Sequence, residues 1–171
     1  MRPATRYALW TTGAALAAAC AYFLWLLVVY VTLPTEVPDD FEVEYSAGPC
    51  HVDWGPVHYV TIRRAAGAGG DPAFEAVRWT LTYVRGSAAA PPVKAVTGKS
   101  AVPPEKALEL YREICWQRFF GMRERYYDPR IIDGGGATLT VTAGGRKKTV
   151  HVSNTRVRAF DRIAAAIARL L

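Results

Sequence analysis

The pattern of hydrophobic positions divides the chain into an uncharged N-terminal stretch and a longer part of mixed polarity. Residues 7–33 carry no charged side chain. A helix of about 20 mainly apolar residues crosses the roughly 30 Å hydrocarbon core of a bilayer, and a longer one can span with some tilt. The pattern therefore predicts a transmembrane helix over residues 7–33, preceded by a short segment, residues 1–6.

Charges on the two flanks predict the orientation of this helix. Arg2 and Arg6 precede it, whereas the charged side chains in the twenty residues after it are all acidic. An excess of Lys and Arg on a short flank marks the cytoplasmic side. We therefore expect a single-pass membrane protein with a cytoplasmic N-terminus, a linker over residues 34–40 and an extracytoplasmic domain over residues 41–171.

Two other interpretations of the apolar stretch compete with a transmembrane helix. A cleaved signal peptide has an apolar region of only about 7–15 residues, which is shorter than this one. The sequence from Leu16 to Cys20 is similar to a bacterial lipobox, but the residues after Cys20 stay apolar where a lipoprotein has a polar tether. A small thiol packed within a helix is the favoured interpretation of Cys20.

Alternation of apolar and polar residues predicts three strands after the linker. Residues 41–45, 57–62 and 74–84 show the period of two and the β-branched and aromatic content of strands. Short turns between them indicate an antiparallel meander. Residues 86–103 are small, polar and rich in proline, so they can supply no core and at most a short edge segment over residues 93–97.

The remaining elements are two helices and a hairpin. Pro103 and Pro104 suit the first turn of a helix, whose predicted apolar face contains Leu108, Tyr111, Ile114, Cys115 and Phe119. A charged and aromatic loop, residues 123–130, follows. Two alternating runs, residues 137–142 and 146–152, surround a Gly-Gly turn and predict a hairpin. Ser153 or Asn154 is the expected cap of a last helix. The predicted fold is α+β, in the order β-β-β-α-β-β-α, with both helices on one face of a small antiparallel sheet.

Net charge argues against nucleic acid as a partner. The formal charge is +6, and the basic residues are interspersed apart from Arg146, Lys147 and Lys148. A nucleic-acid-binding protein shows a basic face or a known motif. No cofactor is predicted, because the glycine runs do not have the spacing of phosphate-binding loops.

Cys50 and Cys115 are the cysteines outside the apolar stretch. In an extracytoplasmic compartment they could form a disulfide bond. The alternative is two buried free thiols, since unpaired cysteine is one of the most buried residue types.

Reactive residue types gather in the loop that contains Cys50, His51 and Asp53 and in the strand that contains His58. Neighbouring residues of an extended chain point to opposite sides, so Cys50 would need a more distant base, such as His151. The spacing also matches no compact zinc signature. We therefore assign no catalytic, cofactor-binding or metal-binding residue.

A possible binding surface is formed by residue types that are enriched at protein interfaces. Its residues are Arg123, Arg125, Tyr126, Tyr127 and Arg130. The alternative is a solvated loop whose tyrosines fold into the core.

The sequence thus favours a membrane-anchored domain that binds another protein or serves as an accessory subunit of a membrane complex. The alternative function is an extracytoplasmic hydrolase or metal-dependent enzyme that uses the Cys50–His58 loop.

Three features carry a resemblance to a known group of proteins. They are the Gly-Pro-Cys loop before a strand, the helix with aromatic residues, and a hairpin that reads Asp-Gly-Gly, Thr-Leu-Thr-Val, Gly-Gly-Arg, Val and Asn before a terminal helix. Over residues 41–171 the chain resembles uncharacterised bacterial membrane-anchored or secreted domains. The shared motifs are mostly turn and core residues, and no activity is carried over from the resemblance.

Overall fold

The computed structural model describes residues 18–24, 33–49, 56–65, 73–82, 93–131 and 134–171. The chain divides into two compact units, Met1–Leu33 and Pro34–Leu171. In the first unit, residues 18–24 are helical and exposed, and the rings of Tyr22 and Phe23 meet edge to face.

The predicted transmembrane helix is contradicted by the structure. Among the helices in the described part of the chain, none is long and apolar enough to cross a membrane. The prediction of a single-pass membrane protein with an extracytoplasmic domain is corrected by the same finding. Residues 7–17 and 25–32 lie outside the described residues.

The second unit is built on one β-sheet, in which the described residues form seven strands. The strands are β1 (Glu42–Pro49), β2 (Val57–Arg64), β3 (Phe74–Thr82), β4 (Val93–Val102), β5 (Arg125–Tyr127), β6 (Gly135–Ala143) and β7 (Arg146–Ser153). Their order across the sheet is β4-β3-β2-β1-β6-β7-β5. The β5–β7 pair is parallel, and the other five pairs are antiparallel.

Two helices complete the unit, α1 (Pro104–Trp116) and α2 (Arg158–Ala168), and a 3-10 turn over Phe119–Gly121 follows α1. The α+β class is as predicted, but the predicted order of elements is wrong. The described elements run β-β-β-β-α-β-β-β-α, because the segment expected to supply only an edge piece forms the ten-residue strand β4. The segment expected to be a loop contains β5.

Both helices pack on the same face of the sheet. Phe41, Val43 and Tyr45 alternate along the chain and therefore share one face. The Phe41 ring meets Tyr111 of α1 with its centroid 5.4 Å away, and the Tyr45 ring lies 6.4 Å from Phe160 of α2. The largest buried side chains of the helices are Leu110, Ile114, Phe160, Ile163 and Ile167.

The opposite side of the sheet, here called the outer face, is polar and aromatic. Residues that lie opposite one another on neighbouring strands share a face. One row of the outer face runs through Val96, Trp79, Tyr59, Ser46, Thr138, His151 and Arg125. The rings of Tyr59 and Trp79 stack at 3.8 Å, and Lys94 Nζ lies 4.1 Å from the centre of the Trp79 ring.

The β6–β7 hairpin is confirmed, together with its glycine turn. Gly144 and Gly145 have φ values of 59° and 71°, which L-residues other than glycine rarely adopt. Their backbone N–H groups donate to the Asp40 carboxylate at 2.6 and 2.7 Å. Asp40 therefore joins the segment before β1 to the end of the hairpin.

This contact predicts a pH-dependent contribution to stability. The N–H groups of Gly145 and Gly144 hold the pKa of Asp40 below its ordinary value of 3.8. A carboxyl group whose folded pKa is lowered stabilises the fold above its unfolded pKa, and this contribution is lost as the pH falls through the folded pKa. Asp40→Asn should lower the melting temperature at neutral pH, and the difference from the wild type should shrink in acid.

The measurement is thermal unfolding of the wild type and of Asp40→Asn from neutral pH to below pH 3.8. Glu36→Gln is the control, because Glu36 is an exposed carboxylate. A difference between wild type and Asp40→Asn that stays constant over this range would show that the contact does not depend on the charge.

Candidate functional site

The short strand β5 places the predicted binding residues at one edge of the sheet. Arg125 lies opposite His151, and Tyr127 lies opposite Ser153, on the outer face. Arg125 is exposed, and the side chain of Tyr127 has 57 % of its surface exposed. Arg123, just before the strand, is also exposed. These three side chains therefore form an accessible group.

Two other predicted members already have hydrogen-bond partners within the domain. Tyr126 is turned to the helix face and packs against the core, and its hydroxyl oxygen accepts a hydrogen bond from the Arg123 backbone N–H at 3.1 Å. Arg130 donates two side-chain hydrogen bonds to the Asp128 carboxylate, at 3.0 and 2.9 Å. Arg130 thereby lowers the pKa of Asp128, and Asp128 raises that of Arg130. Arg130 is exposed, but its guanidinium already has a carboxylate partner.

Strand β7 is paired with β5 over only part of its length. The register pairs residues 125–127 with residues 151–153 and leaves Arg146–Val150 without a strand on that side among the described residues. The His151 N–H donates to the Glu124 carbonyl at 2.8 Å, so the backbone groups of His151 point away from β6. Because this direction alternates along a strand, the N–H and C=O groups of Lys147 and Thr149 also point outward.

Side-chain contacts support this assignment of the backbone directions. In an antiparallel pair, residues whose backbone groups point away from the partner strand have the closer side chains. Thr149 Oγ1 lies 2.9 Å from Thr140 Oγ1, and His151 Nδ1 lies 2.9 Å from Thr138 Oγ1. These contacts place Thr149 and His151 in the same class of position.

A groove of about 620 Å³ lies along this edge. It is lined by Glu124, Arg125, Lys147, Lys148, Thr149 and His151. Lys148 Nζ lies 3.3 Å from Glu124 Oε1, so the one acid among the described lining residues already faces a lysine. Arg125 and Lys147 remain as exposed basic side chains, and the groove has an excess of positive charge.

The predicted disulfide stays a prediction, because Cys50 lies outside the described residues. The Cys115 side chain is half-buried in α1. Burial raises the pKa of the Cys115 thiol, and its hydrogen bond with Tyr111 offsets this only in part. A thiol with a raised pKa is a poor nucleophile at neutral pH.

The two described histidines do not converge. His58 lies opposite Ala47 on the helix face, whereas His151 lies opposite Thr138 on the outer face. Strands β1 and β6 separate them, which is a distance of about 14 Å at the usual strand spacing. Cys50, His51 and Asp53 lie outside the described residues. Of the reactive residues in the predicted enzyme loop, only His58 is therefore described.

Sequence reasoning identified part of this site and missed the rest. It found the exposed residues of β5 and noted the basic run from Arg146 to Lys148. It did not place the two together, because only the parallel pairing of β5 with β7 brings them to one edge. No protein-family model matches this chain, and no curated protein is significantly similar to it.

Proposed function

We propose that residues 34–171 form a protein-binding domain whose partner docks at the corner formed by β5 and β7. The observation that carries this proposal is the exposed pair Arg125 and Tyr127, side by side on an edge strand. Tyrosine and arginine are enriched among the residues that dominate binding energies. Strand β5 holds both at fixed positions, which lowers the entropy cost of ordering them on binding.

The remainder of the domain supports a rigid binding surface. Tyr126 anchors β5 to the core from the opposite side, and the Asp128–Arg130 contact fixes the turn after the strand. Side-chain contacts therefore fix the backbone on both sides of the exposed pair. A partner that is a subunit of a larger assembly would suit the accessory role expected from the sequence.

The test is selection from a displayed peptide library against the full-length chain. We expect binders whose affinity falls by about tenfold or more on Tyr127→Ala and on Arg125→Glu, which is the effect of losing one strong interface residue. Arg158→Glu is the matched control, because Arg158 is exposed at the start of α2. Recovery of no binder, or of binders that both β5 variants retain, would contradict the proposal.

A further inference from the structure

The β7 edge offers backbone groups that a second strand could use. The outward N–H and C=O groups of Lys147 and Thr149 have no hydrogen-bond partner among the described residues. An edge with unpaired donors and acceptors is a template for adding a strand, and proteins use it to bind extended peptides. Arg146–Val150 therefore offers about 16 Å of strand without a partner strand on this side among the described residues.

The charge around this edge selects the kind of peptide. Lys147 and Arg125 both lie on the outer face and line the same groove, whereas Arg146 and Lys148 lie on the helix side. Both faces of an added strand would therefore meet basic side chains. Because opposite charges across a contact favour binding and speed the encounter, an acidic segment fits this edge best.

From these observations we infer that the β7 edge binds an extended acidic peptide segment of the partner protein, which adds to the sheet beside Lys147 and Thr149. The inference rests on the proposed protein-binding function and names the partner segment. Strand β5 ends the available edge at His151, so the added segment runs from there toward the Gly144–Gly145 turn. Glu124 and Arg125 would then lie next to one end of the peptide.

A polyanion such as nucleic acid would use the positive charge, and its phosphate oxygens could accept from outward N–H groups, but a phosphate has no donor for the outward C=O groups. A chain of phosphates is held mainly through its charge, whereas an added strand must place its own N–H and C=O groups in line with β7. The pairs of outward donors and acceptors on Lys147 and Thr149 favour the peptide. Peptide backbone chemistry can therefore separate the two.

The first experiment uses a synthetic peptide of about eight residues that alternates glutamate and valine, about 26 Å long when extended. We expect it to bind the full-length chain at least about tenfold more tightly than the peptide with lysine in place of glutamate. The affinity should fall as the salt concentration rises. Equal binding of the two peptides would overturn the inference.

Backbone methylation tests whether the peptide adds as a strand. Every second N–H of an added strand faces β7, so we compare two peptides that are N-methylated at alternate residues. One set of methyl groups should reduce the affinity by about tenfold or more, and the other should leave it nearly unchanged. Tolerance of both sets would overturn the inference.

Variants of the chain locate the peptide. Thr149→Pro removes the outward N–H and keeps the bonds that β7 makes with β6, since proline is tolerated on an edge strand where its N side faces outward. Thr149→Pro and Lys147→Glu should each weaken the glutamate peptide by about tenfold, and Arg158→Glu should not. If Thr149→Pro fails to fold, as judged by its melting curve, Lys147→Glu and the methylated peptides still show whether the peptide binds at the β7 edge.

Three further outcomes would overturn this inference. Library binders that depend on Arg125 and Tyr127, combined with no binding of the glutamate peptide, would leave the protein-binding proposal standing without the acidic strand. A single-stranded DNA oligonucleotide that binds more tightly than the peptide and is unaffected by Thr149→Pro would identify a polyanion site. A dimer of the chain that Thr149→Pro dissociates would identify a second copy as the occupant.

Discussion

Replacing Ile114 with alanine is expected to lower the free energy of unfolding by about 2–5 kcal/mol. The Ile114 side chain is fully buried, on the face of α1 that packs on the sheet. Its removal loses the transfer free energy of the buried methyl and methylene groups and leaves a cavity that the sheet cannot close. Alanine favours the helix by only a few tenths of a kcal/mol, so the packing loss dominates.

The matched control is Ile131→Ala, because the side chain of Ile131 is 46 % exposed. A surface substitution of this kind changes the free energy of unfolding by about 0.5 kcal/mol or less. Urea unfolding of the two variants and the wild type measures the difference. Losses of the same size at the two positions would show that α1 does not pack on the sheet through Ile114.

The hairpin is a part of the fold that local sequence features predict. Strands β6 and β7 are adjacent in the chain, and their alternation and the Gly144–Gly145 turn are local features. Local chemistry therefore predicts them correctly. The first three strands are also found near their predicted positions, because each has its own alternating run.

Strands at the edges of the sheet could not be predicted in this way. Residues 93–97 of β4 are all exposed, and Val102 is the fully buried member of that strand. A strand that buries almost nothing needs no alternation of apolar residues. Strand β5 is three residues long and pairs with a strand more than twenty residues later, so its existence depends on the folded sheet.

The buried face of β3 was ambiguous for a different reason. Alternation over residues 74–84 predicts one apolar face with Val77, Trp79, Leu81 and Tyr83. The structure instead buries Phe74 and Ala76 and turns Val77, Trp79 and Leu81 outward, while Tyr83 lies outside the described residues. Both faces of this strand carry apolar side chains. Phe74 and Ala76 lie on the buried face, and Trp79 stacks on Tyr59 on the outer face. A period of two then identifies a strand but not the side that faces the core.

Two predictions about helices, the cap of the last helix and the membrane span, are also wrong. The structure begins α2 after Val157 with no side-chain cap, so the predicted cap at Ser153 or Asn154 is wrong. Asn154 instead adopts a left-handed conformation and donates from Nδ2 to the Ile131 carbonyl at 2.6 Å. For residues 7–33, apolar composition indicates a favourable transfer free energy into lipid, whereas no helix among the described residues is long and apolar enough to cross a membrane.

Amide hydrogen exchange along β7 is expected to alternate by at least about a hundredfold. The N–H groups of Lys148 and Val150 point to β6, which they pair with through Val141 and Leu139. They exchange only when the hairpin opens, which in a sheet interior costs several kcal/mol. The outward N–H groups of Lys147 and Thr149 face the groove and need no opening.

No strand among the described residues pairs with the β7 edge beyond β5, and the exchange rates of these four amides in the free full-length chain show whether that edge is available to a partner. We expect fast exchange at Lys147 and Thr149 and slow exchange at Lys148 and Val150. Equally slow exchange at all four would contradict it, since the edge would already be paired in the free protein.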